Sequence, residues 1–177
     1  MKNIIYFLLF FCFAAKAQNN TLVQIWTNQS GNQSGSFKNF TVQDNLGNTY
    51  AAGAFKNNAT THDGYISKLS AQGQTIWTYN FTGTGNGDDV VLSVKFDNHK
   101  NIYLTGTTYK SATNNYDLFL VKLDKDGNQL WSVTYNGTAS SMDSGGDVVL
   151  DTIGNVFVVG ASMNTGTLVD FVVLKYD

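Results

Sequence analysis

The chain lacks proline altogether and has a single cysteine among its 177 residues. Without proline, its turns must be made by glycine, asparagine and aspartate, which tolerate positive φ or hydrogen-bond their own backbone. Cys12 lies in an apolar amino-terminal stretch, and removal of that stretch on export would leave no thiol for a disulfide or for nucleophilic catalysis. Stability must then come from burial, for which an aromatic content of 14% provides the side chains.

The sequence also has few histidines, no excess of positive charge and no recognisable catalytic motif. His62 and His99 are the only two histidines, and the sequence has neither a Gly-x-Ser-x-Gly elbow nor a phosphate-binding loop. Thirteen acidic residues outnumber eleven basic ones, so the chain lacks the basic patch that nucleic acid or an anionic membrane requires. We therefore expect no catalytic residue, no cofactor, no metal needed for folding and no nucleic-acid partner.

Residues 1–17 have the features of a secretory leader. Lys2 supplies the charged start, residues 4–15 are apolar, and Ala15-Lys16-Ala17 is a small-x-small cleavage site. The apolar stretch is shorter than the roughly 20 residues that span a bilayer. We expect a mature chain beginning near residue 18 that is secreted, or held at the cell surface or in the periplasm, without membrane insertion once the leader is removed.

The phrase Asp-x-x-Gly-Asn-x-Tyr-x-x-Gly at residues 44–53 returns at 97–106, with Lys100 for the first glycine, and at 151–160, with Phe157 for the tyrosine. The repeat spacing is therefore 53 or 54 residues. A second phrase, Asp followed by an apolar stretch and a lysine, begins at Asp63, Asp117 and Asp170. A tryptophan also occurs once per repeat, at Trp26, Trp77 and Trp131. Repeats of this length with several short strands each are typical of propeller blades.

The middle repeat contains four short runs of β-branched and aromatic residues separated by turn residues, at 90–96, 102–108, 118–123 and 130–135. These runs predict four strands, here called a to d. The polar stretch between strands b and c, residues 109–116, is predicted to be unstructured. Since no segment has the i, i+3, i+4 spacing of an amphipathic helix, the predicted class is all-β, with β-propeller-type repeats in three four-stranded antiparallel blades.

We expect residues 18–177 to form one domain, with blade repeats at about 36–88, 89–142 and 143–177 and an additional N-terminal strand at 21–27. That strand, which contains Trp26, matches strand d, whereas the last strand matches strand c. The third blade therefore reaches four strands only if the N-terminal strand pairs with the last strand of the chain, as in the closure of propellers. Closed propellers have four to eight blades, so we expect an open arc of three, either a partial propeller or one completed to six blades by a head-to-tail homodimer.

Glycine and tryptophan recur at positions with a structural explanation. Gly47 and Gly154 predict two-residue primed turns between strands a and b, in which both central residues have positive φ, and Lys100 predicts a looser turn in the middle repeat. A second set lies inside strand b, where the absence of Cβ permits close backbone approach or a bulge: Gly53, Gly106 and Gly160. The tryptophans fall on the outermost strand, where we expect packing against an adjacent blade rather than stacking on a sugar.

These phrases together resemble the bacterial β-propeller repeat family often called SBBP repeats. The resemblance covers nearly all of residues 21–177. It implies an exported or surface propeller without a shared catalytic chemistry. The chain departs from the family in having only three blades and no recognisable C-terminal sorting domain, which also fits a fragment of a longer protein.

The topology of such blades brings five aspartates toward the same face, because strands a and c both begin there: Asp63, Asp89, Asp117, Asp143 and Asp170. They could attract a cation or a cationic ligand, or they could cap backbone N–H groups of the adjoining loops, which we favour. Asp124 begins a segment that resembles a calcium loop. That loop lacks the downstream glutamate of such sites, so we interpret it as a turn.

Histidine placement argues against a shared site, because His62 is expected in a b–c loop and His99 in an a–b turn, on opposite faces of the blades. The sequence therefore favours a non-catalytic exported scaffold or binding module that engages a protein or a glycan through its loop face. Two alternatives stay open. One is a truncated fragment of a larger surface propeller without independent activity, and the other is a glycan-active enzyme, which would require a cleft with paired carboxylates.

Overall fold

The computed structural model describes residues 24, 27, 37–57, 61–112, 115–139, 141–166 and 168–177. The expected leader (1–17) and Trp26 of the expected N-terminal strand lie outside the described residues. Within them the chain forms eleven strands and no helix. The strands are β1 (Phe37–Gln43), β2 (Thr49–Lys56), β3 (His62–Leu69), β4 (Thr75–Phe81), β5 (Val90–Phe96), β6 (Ile102–Lys110), β7 (Asn115–Leu123), β8 (Gln129–Tyr135), β9 (Asp143–Leu150), β10 (Val156–Ser162) and β11 (Asp170–Tyr176).

The strands form three antiparallel sheets in chain order, β1-β2-β3-β4, β5-β6-β7-β8 and β9-β10-β11. This arrangement confirms the predicted all-β class, with strands a to d as successive members of the first two sheets and strands a to c as members of the third. The third sheet has three strands within the described residues. The sheets stack in series, since β5 packs on β1, β2 and β3, and β9 packs on β5, β6 and β7.

The second sheet is buried on both of its faces. Along β6 and β7 the side chains alternate, because neighbouring residues of a strand point to opposite faces. One set belongs to the core between the first two sheets, and it includes Leu104, Phe119 and Val121. The other set, which includes Leu118 and Leu120, belongs to the core between the second and third sheets. All five side chains have 0% exposure.

The outer faces of the first and third sheets differ in polarity. On the third sheet Phe171 is 77% exposed and Val173 is 50% exposed, although these residues occupy the repeat positions of Leu118 and Leu120. On the first sheet the outer face carries hydroxyl side chains, with the oxygens of Ser67 and Thr78 2.8 Å apart. The outer face of the third sheet is therefore apolar at these positions, whereas that of the first sheet carries hydroxyls together with the ring contact of Phe55 and Tyr65.

The turns between strands a and b have three-residue loops, so the predicted two-residue primed turns are wrong. In the first repeat the Asp44 N–H donates to the Asn48 carbonyl (2.9 Å) and the Gly47 N–H to the Asp44 carbonyl (3.1 Å). Positive φ occurs only at the third loop position, with 83° at Gly47 and 66° at Lys100. The Asp44 carboxylate accepts the backbone N–H groups of residues 46 and 48, both at 2.9 Å, and these bonds fix the loop.

The prediction of a looser middle turn is also wrong. Lys100 donates its N–H to the Asp97 carbonyl at 3.0 Å, and the Asp97 carboxylate accepts the N–H groups of His99 and Asn101 at 2.8 and 2.9 Å. The middle turn thus has the hydrogen bonds of the first, and a lysine is held in a left-handed conformation that L residues disfavour.

The stretch between strands b and c is more regular than the sequence indicates. β6 continues to Lys110, β7 begins at Asn115, and Tyr109 pairs with Tyr116. The two tyrosine rings contact each other edge-on, with centroids 5.4 Å apart. Cross-strand aromatic pairs stabilise a hairpin, which explains why this polar stretch extends the sheet.

The glycines inside strand b lie opposite irregularities in strand a. A Cβ at Gly106 would lie 1.9 Å from the Val90 carbonyl oxygen, and one at Gly160 would lie 2.0 Å from that of Ser144. The register shifts beside both glycines, and Gly53 pairs with a residue at the equivalent shift in the first sheet. Any side chain at Gly106 or Gly160 would push the neighbouring strand away.

Trp77 and Trp131 occupy equivalent positions on the fourth strand of their sheets. They pair with Lys68 and Lys122, and each contacts a strand-b tyrosine of its own sheet edge-on, with ring centroids 6.0 Å apart. The Trp77 indole also lies against the next sheet, 2.9 Å from where a Cβ on Gly127 would be. Trp77 therefore helps to hold the first two sheets together.

We expect Lys100→Gly to raise the free energy of unfolding by about 0.5–1 kcal/mol. The left-handed conformation costs an L residue roughly 1–2 kcal/mol in the folded state, and glycine removes this cost. The greater conformational freedom of glycine in the unfolded chain cancels part of that stabilisation. Urea unfolding followed by fluorescence measures the change. The matched control is Gly154→Ala, whose new Cβ would have no atom within 4 Å. It should destabilise the fold only because alanine disfavours the positive φ of this position. A stability loss in Lys100→Gly would contradict the assigned turn.

Candidate functional site

Four of the five predicted aspartates are buried instead of forming an exposed face. Asp89 and Asp143 have 0% exposure, Asp117 has 5% and Asp63 has 6%. They come in two pairs, each at one end of a boundary between sheets. Asp63 and Asp89 define the first junction, between the first and second sheets, and Asp117 and Asp143 define the second junction, between the second and third.

Asp170 does not join either pair. It is half-buried at the start of β11 and accepts a hydrogen bond from the side-chain amide of Asn164 at 2.9 Å. The five aspartates thus share one end of the sheets, as the topology predicts, without forming a single cluster.

The first junction is well supplied with hydrogen-bond donors. Asp89 accepts the Thr108 hydroxyl at 2.6 Å and the backbone N–H groups of Gly83 and Tyr109 at 2.8 and 3.1 Å. The Thr82 hydroxyl donates to Asp63 at 3.2 Å. Asp89 therefore caps the loop before β5, which is the role that the sequence analysis favours.

The second junction repeats this arrangement incompletely. The Gly137 N–H donates to Asp143 Oδ2 at 2.8 Å, matching the contact of Gly83. However, Asp117 Oδ1, Asp143 Oδ1 and Ser162 Oγ are buried without a hydrogen-bond partner. The exposed Asn136 replaces Thr82 and has no hydroxyl. Ser162 replaces Thr108 and keeps a hydroxyl, but that hydroxyl makes no hydrogen bond.

Burial changes the acidity of one aspartate at each junction. Burial raises the pKa of Asp89 despite its three hydrogen bonds, and the charge of Asp63 adds to the shift. Burial also raises the pKa of Asp117; the positive charge of Lys110 opposes this shift and the negative charge of Asp143 increases it. The two carboxyls of each pair therefore interact electrostatically across their junction.

The aspartates of the turns behave in the opposite way. The side-chain amide of Asn128 donates to Asp124 at 2.9 Å and lowers the pKa of that carboxyl. The amide of Asn155 does the same for Asp151. Asp124 Oδ1 accepts the N–H groups of residues 126 and 128, so the segment that resembles a calcium loop is a turn closed by its own hydrogen bonds.

The two histidines lie at opposite ends of their sheets. His62 starts β3, and its Nδ1 lies 3.1 Å from a carboxylate oxygen of Asp88, whereas His99 lies in the turn between β5 and β6. Across residues 37–177, leaving aside the gaps in the described ranges, no three His, Cys, Asp or Glu side chains are grouped to hold a metal.

A cleft of about 400 Å³ opens between the a–b turns of the second and third sheets, and the sequence analysis does not anticipate it. Its lining residues are Phe96, Asp97, Asn98, His99, Asn101, Tyr103, Lys122, Leu150, Asp151, Thr152, Ile153 and Gly154. This end of the sheets is opposite to the end that carries the aspartate pairs.

A difference between equivalent residues accounts for the cleft. Between the first two sheets, the ring of Phe96 contacts Tyr50 edge-on with centroids 4.7 Å apart. Between the second and third sheets, the equivalent of Tyr50 is Tyr103, and the equivalent of Phe96 is the smaller Leu150. The space that the Phe96 ring fills between the first two sheets is thus partly open between the second and third sheets.

The cleft combines apolar surface with hydrogen-bonding groups. The Lys122 ammonium lies 4.9 Å from the centroid of the Tyr103 ring, and Ile153 is 84% exposed. Asn98 and His99 contribute further polar side chains. One ammonium therefore lies among two turn carboxylates, Asp97 and Asp151, so that negative charge is in excess by one in the cleft.

Comparisons with known proteins add little beyond the fold. No protein-family model matches the chain, and no curated protein matches it. Among solved structures, a protein of unknown function from Bacteroides caccae is similar, with 10% sequence identity and a TM-score of 0.47. The similarity covers 79% of this chain and 47% of that one, so the chain spans about half the length of its structural neighbour. No helix in the described residues is long and apolar enough to cross a membrane.

We expect the Tm to rise as pH falls from 7 toward about 4, the ordinary aspartate pKa, and to fall at lower pH. A carboxyl whose pKa is raised on folding binds its proton more readily in the folded state, so Asp89 and Asp117 stabilise the fold as they become protonated. A carboxyl whose pKa is lowered, such as Asp124, loses its contribution as pH falls through the folded pKa.

Differential scanning fluorimetry in EDTA buffer tests this profile. Asp117→Asn should reduce the rise between pH 7 and 5, whereas the control Asp124→Asn should keep it. An equal rise in wild type and Asp117→Asn would show that Asp117 is not the group that titrates.

Proposed function

We propose that the chain is an exported, non-catalytic binding module built from SBBP-type propeller repeats, and that it binds a glycan in the cleft between the second and third sheets. The cleft itself is the observation that supports this proposal most strongly. Binding sites are usually concave and mostly apolar, with a few polar groups that orient the ligand.

A carbohydrate suits the chemistry of this cleft. A sugar ring presents C–H groups on its faces and hydroxyls around its edge, and the cleft offers Ile153 and Leu150 beside the polar side chains of Asn98, His99 and Lys122. The excess of one negative charge, with two carboxylates and one ammonium, disfavours a strongly anionic ligand and suits an uncharged one. Aromatic surface at Tyr103 adds a partner for C–H groups.

The lowered pKa values of the turn carboxyls in the cleft support a binding role. A general acid at neutral pH needs a raised pKa, whereas hydrogen bonds from Asn155 lower that of Asp151. The carboxyls with raised pKa values lie at the other end of the sheets and are buried. The proposed site also lies at the end opposite to the loop face favoured by the sequence.

Ile153→Ala should reduce glycan binding at least about tenfold while leaving stability within about 0.5 kcal/mol, because the side chain is exposed in the free protein. The matched control is Leu46→Ala. Leu46 occupies the same turn position in the first repeat and is 68% exposed, but it does not line the cleft. Binding would be measured on an array of neutral and acidic oligosaccharides, followed by calorimetry with the sugar that binds.

A second variant tests the shape of the site. Leu150→Phe restores the aromatic residue of the first two sheets and should block binding without loss of stability. No bound sugar on the array, or equal loss in Ile153→Ala and Leu46→Ala, would contradict the proposal.

A further inference from the structure

The two junctions provide an internal comparison, because they are built from equivalent residues of successive repeats. At the first junction two threonine hydroxyls donate to the aspartate pair. At the second junction Asn136 takes the place of Thr82, and the hydroxyl of Ser162, in the place of Thr108, makes no hydrogen bond, so three oxygens are left without a partner: Asp117 Oδ1, Asp143 Oδ1 and Ser162 Oγ. Buried acceptors of this kind are rare in folded proteins and need a specific explanation.

The three oxygens belong to well-buried side chains on three different strands. Asp117 lies on β7, Asp143 begins β9 and Ser162 ends β10, with exposures of 5%, 0% and 1%. Ser162 Oγ and Asp143 Oδ1 converge beside Gly137, at 2.3 and 2.9 Å from where its Cβ would be. The glycine leaves the space around these oxygens free of a side chain.

We propose that Asp117, Asp143 and Ser162 bind one divalent cation, of which Ca²⁺ has the best-matched ligand preference. Ca²⁺ is bound in proteins by carboxylate, hydroxyl, carbonyl and water oxygens, whereas zinc and copper favour nitrogen and sulfur. Two carboxylates and one divalent ion are together neutral. This neutrality matters because burial makes uncompensated charge costly.

Two protein groups near Asp117 and Asp143 could supply positive charge or a hydrogen bond, but neither reaches the unpartnered oxygens. Lys110 is close enough to oppose the rise in the pKa of Asp117, but it forms no ion pair with that carboxylate. The Gly137 N–H occupies only Asp143 Oδ2. The proposal departs from the sequence-based expectation that the chain needs no metal, because Asp117 lies at the same junction as Asp143 and Ser162 only through the stacking of two sheets.

Thermal unfolding of EDTA-treated protein with added CaCl₂ tests the site. With two carboxylates we expect a dissociation constant on the order of 10⁻⁴–10⁻³ M, as in extracellular calcium modules. The Tm should then rise by several degrees at about 10 mM Ca²⁺, and native mass spectrometry should show one bound ion per chain. The same concentration of MgCl₂ should raise the Tm less, since Mg²⁺ retains several of its waters.

Two variants and a matched control locate the ion. Asp117→Asn should abolish the Ca²⁺ response. The double variant Asn136→Thr/Ser162→Thr recreates the donors of the first junction, so it should raise the Tm in EDTA and weaken Ca²⁺ binding at least about tenfold. Asp63→Asn changes the equivalent aspartate at the first junction and should keep the full response.

The proposal is overturned if wild type shows no Ca²⁺ response at about 10 mM. It is equally overturned if Asp117→Asn or the double variant keeps the wild-type response, or if Asp63→Asn loses it to the same extent as Asp117→Asn.

Discussion

The described structure depends on covering both faces of the second sheet. One face, with Leu104 and Phe119, packs on the first sheet, and the other, with Leu118 and Leu120, packs on the third. The first and third sheets pack on a neighbouring described sheet through one face only. Apolar burial is the main favourable contribution to folding, so the second sheet is the element that holds the stack together.

Differences between equivalent residues give the repeats different chemistry. Replacement of Phe96 by Leu150 opens a cleft at one end of the second junction. At the other end, where Ser162 and Asn136 stand in place of two threonines, acceptors are left unpartnered. At the first junction the ring of Phe96 contacts Tyr50, and the hydroxyl of Thr108 donates to Asp89. The boundary between the second and third sheets is therefore where both proposed binding sites lie.

The sequence predicts the strands well because alternation and turn residues are local signals. Val90–Phe96 agrees with its predicted bounds to the residue. The prediction from the sequence fails at Lys100, because the carboxylate of Asp97, three residues earlier, imposes the turn on a residue that is not glycine. Neither the burial of Asp143 nor the cleft beside Leu150 could be read from the chain, because both depend on side-chain sizes across a junction. The head-to-tail homodimer stays a prediction, and it would bring the apolar Phe171 face toward the more polar face of the first sheet.

Native-state hydrogen exchange of β6 and β10 tests the central role of the second sheet most directly. Both strands are hydrogen-bonded on two sides, so a difference in protection between them reports the burial of their faces. If the second sheet holds the stack together, the β6 amides exchange only through global unfolding, and the β10 amides exchange at a lower free energy through partial opening. Equal protection of both strands, or higher protection of β10, would contradict this account.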